Sequence, residues 1–184
     1  MTIKGLGSKA PLIDIKKMSP DVSGLTRRAT KESESGPGDE GKSLTIPPGT
    51  GPVTQALVEH GVDPARLVLV EFNPNFCRML RSRYPAATVV QGDAYRLKHL
   101  LESTLRAPAA AIVSGLPLVT KPLRTRLRLI SDAMTLLAPS APFVQFTYAM
   151  VPPIPKRLNG IRAEASPLIW LNLPPARVWT YRGR

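Results

Sequence analysis

From Gly49 onward, apolar positions fall into short runs that switch between two periodicities. Val53 to His60 (VTQALVEH) carries its apolar residues at helical spacing and stops at Gly61, which predicts a helix with a glycine breaker. Leu67 to Glu71 (LVLVE) is an unbroken apolar run, the kind buried on both faces of a parallel sheet. The spacing then predicts a helix over Asn75–Arg83, a strand over Thr88–Gln91, a helix over Leu97–Leu105 and a strand over Ala109–Val113. A long helix follows over Pro122–Leu137, with proline near its first turn where the missing N–H is harmless, and then a strand over Phe143–Tyr148. Leu168–Leu171 and Val178–Tyr181 flank Pro174-Pro175 and predict an antiparallel hairpin at a sheet edge. Strands alternating with helices in this way predict an α/β fold with a mainly parallel sheet.

The N-terminal quarter has no such pattern. Thr30 to Ser43 reads TKESESGPGDEGKS, without one large apolar residue, and cannot bury enough surface to offset its ordering entropy. The expected organisation is a divergent, disordered segment over 1–43 and one domain over 44–184. Leu44–Ile46 would be a short stub of a first strand, or that strand would be missing. Gly36 to Ser43 (GPGDEGKS) matches the phosphate-loop pattern, but that motif works only between a buried strand and a helix N-terminus. Neither flank is present, so ATP binding is not expected there.

Composition narrows the class. A chain of 184 residues with 43% hydrophobic content has material for one core. No apolar run approaches the ~20 residues of a membrane span, and Asp14, Lys16 and Lys17 interrupt the one candidate signal-peptide centre. A single cysteine (Cys77) and two histidines (His60, His99) can build neither an internal disulfide nor a Cys/His zinc cage, so an intracellular protein without metal is expected. The formal net charge is +12, and 14 of the 17 cations beyond residue 46 are arginines. Such an excess attracts a polyanion, either nucleic acid or an anionic membrane surface.

Candidate chemistry collects after successive strands. Pro48-Gly49-Thr50-Gly51 leads straight into the first helix, where glycines permit close backbone approach and the helix start offers unpaired N–H groups. Any tight turn could use such a string. It gains meaning from Glu71, twenty residues on at the end of LVLVE, where an acid can accept both hydroxyls of a ribose. Asp93 and Ala94 follow the next strand in QGDA, and Ser114-Gly115-Leu116-Pro117 follows AAAIV. Ligands of open α/β sheets bind outside the carboxyl ends of the strands, so the set predicts a site for an adenosine-type ligand.

The strings PGTGPVTQALVEHGVDPARLVLVEFNPNFCRMLRSRYP, VVQGDAY, VSGLPL, FVQFTY and WLNLPPARVW resemble those of the bacterial phospholipid N-methyltransferases, over about residues 48–184. The resemblance implies a Rossmann-like class I methyltransferase fold, mostly parallel with a C-terminal antiparallel hairpin, and S-adenosylmethionine as cofactor. It implies that Gly49, Thr50 and Gly51 lie under the methionine part of the cofactor and that Glu71 holds the ribose. Asp93, with Ala94 beside it, would sit near the adenine amine, and Ser114–Leu118 would line the side where the methyl is delivered. The implied substrate is the amine of phosphatidylethanolamine, and the implied setting is cytoplasmic, peripherally bound to the inner membrane. The family's loop reads E-x-G-x-G-x-G; here Thr45 stands at the acidic position and Pro47 at the first glycine.

The acceptor amine must lose a proton and becomes a soft cation as methyl groups are added. A phenol suits both needs, through its oxygen and through cation–π contact, which makes Tyr148 and Tyr95 the candidate catalytic residues. Two alternatives remain at this level. An RNA adenine N6-methyltransferase would share the fold, but such enzymes carry [ND]-[LIP]-P-[YFWH] where this chain has Ser114-Gly115-Leu116-Pro117-Leu118, lacking amide and aromatic, so nucleic acid is the less expected partner. The other is a degenerate homologue whose altered glycine loop no longer binds cofactor.

Overall fold

The computed structural model describes residues 41–155, 158, 160–170 and 175–183. In chain order these form β1 (Ser43–Ile46), α1 (Pro52–Glu59), β2 (Leu67–Glu71), α2 (Pro74–Arg83), β3 (Thr88–Gln91), α3 (Leu97–Leu101) and β4 (Ala111–Ser114). They continue as α4 (Leu123–Leu136), β5 (Pro142–Thr147), β6 (Ile161–Ala165) and β7 (Arg177–Gly183). The strands make one sheet in the order β3-β2-β1-β4-β5-β7-β6. The first five strands run parallel, and β7 lies antiparallel to both β5 and β6.

Parity of position explains why the central strands read as continuous apolar runs. Leu44, Ile46, Val68, Val70 and Ile112 pack on one face with Leu97 and Leu101 of α3 and with Leu129, Ile130 and Ala133 of α4. Leu67, Leu69, Val113 and Val144 pack on the other face with Ala56 and Leu57 of α1 and Leu80 of α2. A strand covered by helices on both sides has no solvent face to mark with polar residues. Strand order reverses between β1 and β4, which opens a crevice at their carboxyl ends.

Several boundaries differ from the sequence reading. The first strand is short yet complete in its pairing, with Ser43, Leu44 and Thr45 in register with β2 and all four residues in register with β4. β4 is no longer, so four residues suffice at the centre of this sheet. The final hairpin pairs Ile161–Ala165, not Leu168–Leu171, with β7; in the latter segment Ile169 makes only an isolated bridge to Ala176. IRAEA carries little strand signal, because small and charged residues dominate it and an edge strand needs one apolar face only. The third helix ends at Leu101, four residues early, and Ala109 makes a single bridge to Leu137 before β4 begins at Ala111. Residues 1–40, which include the phosphate-loop look-alike up to Glu40, lie outside the described residues, as do Lys156 and Arg157.

Candidate functional site

The loops after β1, β2, β3 and β4 bring the glycine string, Glu71, Asp93 and Ser114 to one edge of the sheet, beside the crevice. Their mutual fixing is visible in backbone hydrogen bonds. Gly49 N–H donates to Glu71 Oε2 at 3.1 Å, and Asn73 N–H donates to Glu71 Oε1 at 2.8 Å. Glu71 is buried at 5% exposure. Each oxygen carries one backbone donor and keeps a lone pair, which is the acceptor set a vicinal diol requires. Gly92 N–H donates to the Glu71 carbonyl at 3.0 Å, tying the turn that carries Asp93 to the same strand end.

The glycine string is a left-handed turn supported from below. Gly49 has φ +54° and Gly51 φ +90°, and Gly51 N–H closes the turn on the Pro48 carbonyl at 2.8 Å. A β-carbon at Gly51 would meet Leu80 and the Tyr84 ring at an ordinary contact distance of 3.4 Å, so it is the positive φ that favours glycine there. Thr50 is exposed, and its carbonyl accepts from Arg83 at 3.3 Å. The Arg83 guanidinium also stacks over the Tyr84 ring, 5.4 Å from its centroid. These two supports from the end of α2 escaped the sequence reading, because only tertiary contact links them to the turn.

Asp93 is exposed and spends Oδ1 on the Tyr95 N–H, capping a single helical turn, Ala94–Arg96, in which Ala94 is buried. Tyr95 is half-buried with its hydroxyl enclosed and without a partner among the described residues. Burial, and then the Asp93 charge, push its phenol above the ordinary value, so it is a neutral phenol at neutral pH. Lys121 lies over its ring, 5.1 Å from the centroid. Tyr148 stands one residue beyond β5, exposed, with its ring edge-on to Phe146 at 5.1 Å. Among the described residues it makes no hydrogen bond to another candidate, so the two tyrosines are not brought together by direct contact.

Ser114 ends β4 fully buried, beside Ile46 in register, and its Oγ accepts from Leu116 N–H at 3.4 Å. The segment after it is held by a residue the sequence reading missed. Gln145 of β5 is fully buried; its Nε2 donates to the Leu116 carbonyl at 2.9 Å and to the Phe146 carbonyl at 2.6 Å. With the amide nitrogen so committed, Oε1 is a buried acceptor without a partner among the described residues. A polar residue in the apolar string FVQFT was the available signal. Phe72, 72% exposed immediately beyond Glu71, was missed likewise; its open ring face suits an adenine.

The residues present thus fit an adenosine-bearing cofactor: a diol acceptor at Glu71, a close-approach turn at Gly49–Gly51, and an aromatic face at Phe72. A separate depression of about 260 Å³ between α3 and α4, lined by Arg96, Lys98, His99, Glu102, Arg128 and Asp132, contains none of them. Among the described residues no group of three His, Cys, Asp or Glu could hold a metal ion, and no helix is long and apolar enough to cross a membrane.

Strand order, switch-point crevice and acid after β2 together define a class I, Rossmann-like methyltransferase. Solved structures share the architecture. The chain superimposes on TrmN from Thermus thermophilus with a TM-score of 0.61 and 16% identity, over 94% of this chain and 53% of that one, about half its length. An rRNA methylase from Streptococcus thermophilus matches at a TM-score of 0.60 and 17% identity, over 97% of this chain and 100% of that one. No family profile matches the sequence. It is, however, 31% identical over 140 residues to the ornithine lipid N-methyltransferase of Singulisphaera acidiphila, covering 73% of this chain and 72% of the relative. The chain belongs to that family of S-adenosylmethionine-dependent methyltransferases.

Proposed function

We propose that this methyltransferase acts on the amine of a membrane lipid, with phosphatidylethanolamine as the expected headgroup. The kinship with a lipid N-methyltransferase carries the reading. Ser114-Gly115-Leu116-Pro117-Leu118 supports it, because the segment lacks the amide and aromatic that grip a flipped base. The relative's name favours a second headgroup of the same chemistry, the free amine of an ornithine lipid.

S-adenosylmethionine supplies an electrophilic methyl when bound. Glu71 would hold its ribose, Gly49–Gly51 would lie under its methionine part, and Asp93 with Ala94 would border the adenine. The remaining work is positioning, since an in-line transfer to an amine gains most of its acceleration from alignment. The amine must arrive unprotonated and give up a proton once methylated. The phenol oxygens of Tyr95 and Tyr148 can accept a hydrogen bond from it, and their rings suit a methylated ammonium. The basic surface would hold the protein at anionic lipid on the cytoplasmic side.

Purified protein is incubated with methyl-labelled S-adenosylmethionine and vesicles containing phosphatidylethanolamine, ornithine lipid, or neither; the lipids and a bulk RNA sample are then extracted. Label in one of the aminolipids is expected. Label in RNA alone would overturn the proposal, and absence of S-adenosylhomocysteine binding would mark a degenerate homologue.

A further inference from the structure

The exposed large apolar side chains are not scattered. Besides Phe72, among the described residues they are Val119, Leu123, Tyr148, Met150, Val151 and Trp170. Every one lies in a connection at the carboxyl edge or, for Leu123, at the helix start that leaves one. Val119 and Leu123 follow β4, where α4 begins, and Tyr148, Met150 and Val151 follow β5. Register places Trp170 at the same edge, because Thr147 at the end of β5 pairs with Arg177 at the start of β7, and Ala165 at the end of β6 pairs with Trp179. β4, β5, β7 and β6 are successive strands, neighbours about 5 Å apart, so the connections that carry the six side chains follow one another along this edge, on the acceptor side of the crevice as proposed.

The rim is built on anchored backbone. Arg126 of α4 donates to the Pro153 carbonyl at 2.8 Å. The buried Tyr181 hydroxyl accepts from Ile154 N–H and donates to the Ile154 carbonyl, both at 3.3 Å, and Ile154 itself is fully buried. Met150 and Val151, 60% and 61% exposed, stand just ahead of this clamp. Trp170 is 74% exposed, and tryptophan is the residue best suited to a lipid–water boundary. Lys121 and Arg124 are exposed at the same edge. An apolar rim with cations beside it complements an anionic bilayer.

We infer that the carboxyl edge is a membrane-docking face, with Met150, Val151 and Trp170 entering the headgroup–acyl boundary so that the crevice opens onto the lipid surface. The choice of lipid as occupant rests on the lipid-amine reading. The geometry makes the substrate amine reach the site from the membrane plane, without extraction into water.

Trp170 is a built-in reporter, since Trp179 is 1% exposed in the core. The full chain is mixed with vesicles of phosphatidylcholine and phosphatidylglycerol, with or without brominated acyl chains. The tryptophan emission is expected to shift to the blue and to be quenched by the brominated lipid, and Trp170→Phe should abolish both effects. A Met150→Asp, Val151→Asp double variant should lose at least about tenfold in vesicle partition, because two apolar insertions become charges. Its affinity for S-adenosylhomocysteine and its transfer to a monomeric short-chain aminolipid should stay at the wild-type level. Unchanged partition of the double variant, or no emission shift of the wild type, overturns the docking face. Emission already blue without lipid overturns it too, since residues 1–40 or a second copy would then cover the rim. Vesicle binding through these residues without methylation of any lipid would uphold the docking face and defeat the substrate reading; methylation of the short-chain lipid without vesicle binding would do the reverse.

Discussion

Gly49 N–H donates to the Glu71 carboxylate, so the turn after β1 and the acid after β2 are one hydrogen-bonded unit, joined 22 residues apart at 3.1 Å. The carboxylate therefore orders the turn, and the proposed ribose contact would use its remaining lone pairs. Replacing Glu71 with Ala should remove charge-assisted contacts worth roughly 1.5–3 kcal/mol and weaken S-adenosylhomocysteine binding accordingly. Glu71→Gln should not rescue it, because the amide NH₂ would face the N–H of either Gly49 or Asn73. Titration calorimetry on both variants checks this; unchanged affinity in Glu71→Ala would remove the ribose assignment.

Gln145 grips the Leu116 carbonyl in the segment proposed to border the acceptor side. Gln145→Leu should fold, since the change replaces a buried amide with an apolar group of similar size. It should raise KM for the lipid by several-fold while S-adenosylhomocysteine affinity holds. Equal losses in both would mean that Gln145 serves only the core.

Tyr95 and Tyr148 differ in environment, and their variants should differ in effect. Tyr95 is kept neutral by burial and the nearby Asp93 charge. Its ionisation therefore cannot set the alkaline side of the pH–rate profile at ordinary pH, and Tyr95→Phe should leave that profile's shape unaltered while lowering kcat. Tyr148 is exposed, and Tyr148→Ala should lower kcat/KM most for the acceptor already carrying methyl groups, where a ring-to-cation contact counts. Initial rates with unmethylated and dimethylated headgroups test both.

Tyr181 links stability to pH. Burial pushes its phenol far above the ordinary value of 10.0, outweighing the Ile154 backbone contact and the Arg126 charge that act the other way. Below pH 10 the phenol is neutral in both folded and unfolded chains, so its contribution is fully present. Above that point the unfolded chain ionises first, and stability is lost as pH rises, with a slope of up to about 1.4 kcal/mol per pH unit. Tyr181→Phe should lose about 1 kcal/mol at neutral pH and show a shallower decline above pH 10. Urea unfolding at a series of pH values measures both.

Thr45 is buried at 1% exposure, with Oγ1 lacking a partner among the described residues. An unpaired buried hydroxyl costs about 1–3 kcal/mol. Thr45→Val preserves shape and should raise the unfolding free energy by about 1 kcal/mol. A destabilised Thr45→Val would show that the hydroxyl is bonded in solution, for instance to water.

Much of this protein was legible before its structure. Continuous apolar runs such as LVLVE and AAAIV can be satisfied only by burial on both faces, so they specify central parallel strands, and the loops after them specify where chemistry must gather. That the glycine string, Glu71, Asp93 and Ser114 share one edge of the sheet was readable for that reason. What the tertiary structure alone decided depends on contacts without a local signal. Leu44–Ile46 was legible as a short first strand, yet only pairing on both sides shows that Ser43–Ile46 is complete at the centre of the sheet. IRAEA becomes a strand because β7 offers it an edge. Gln145 reaches Leu116 across 29 residues, and Arg126 and Tyr181 clamp the segment behind Met150 and Val151 from two separate elements. Periodicity reports which face of an element is buried, whereas partners distant in sequence are chosen by topology, and no local pattern encodes them.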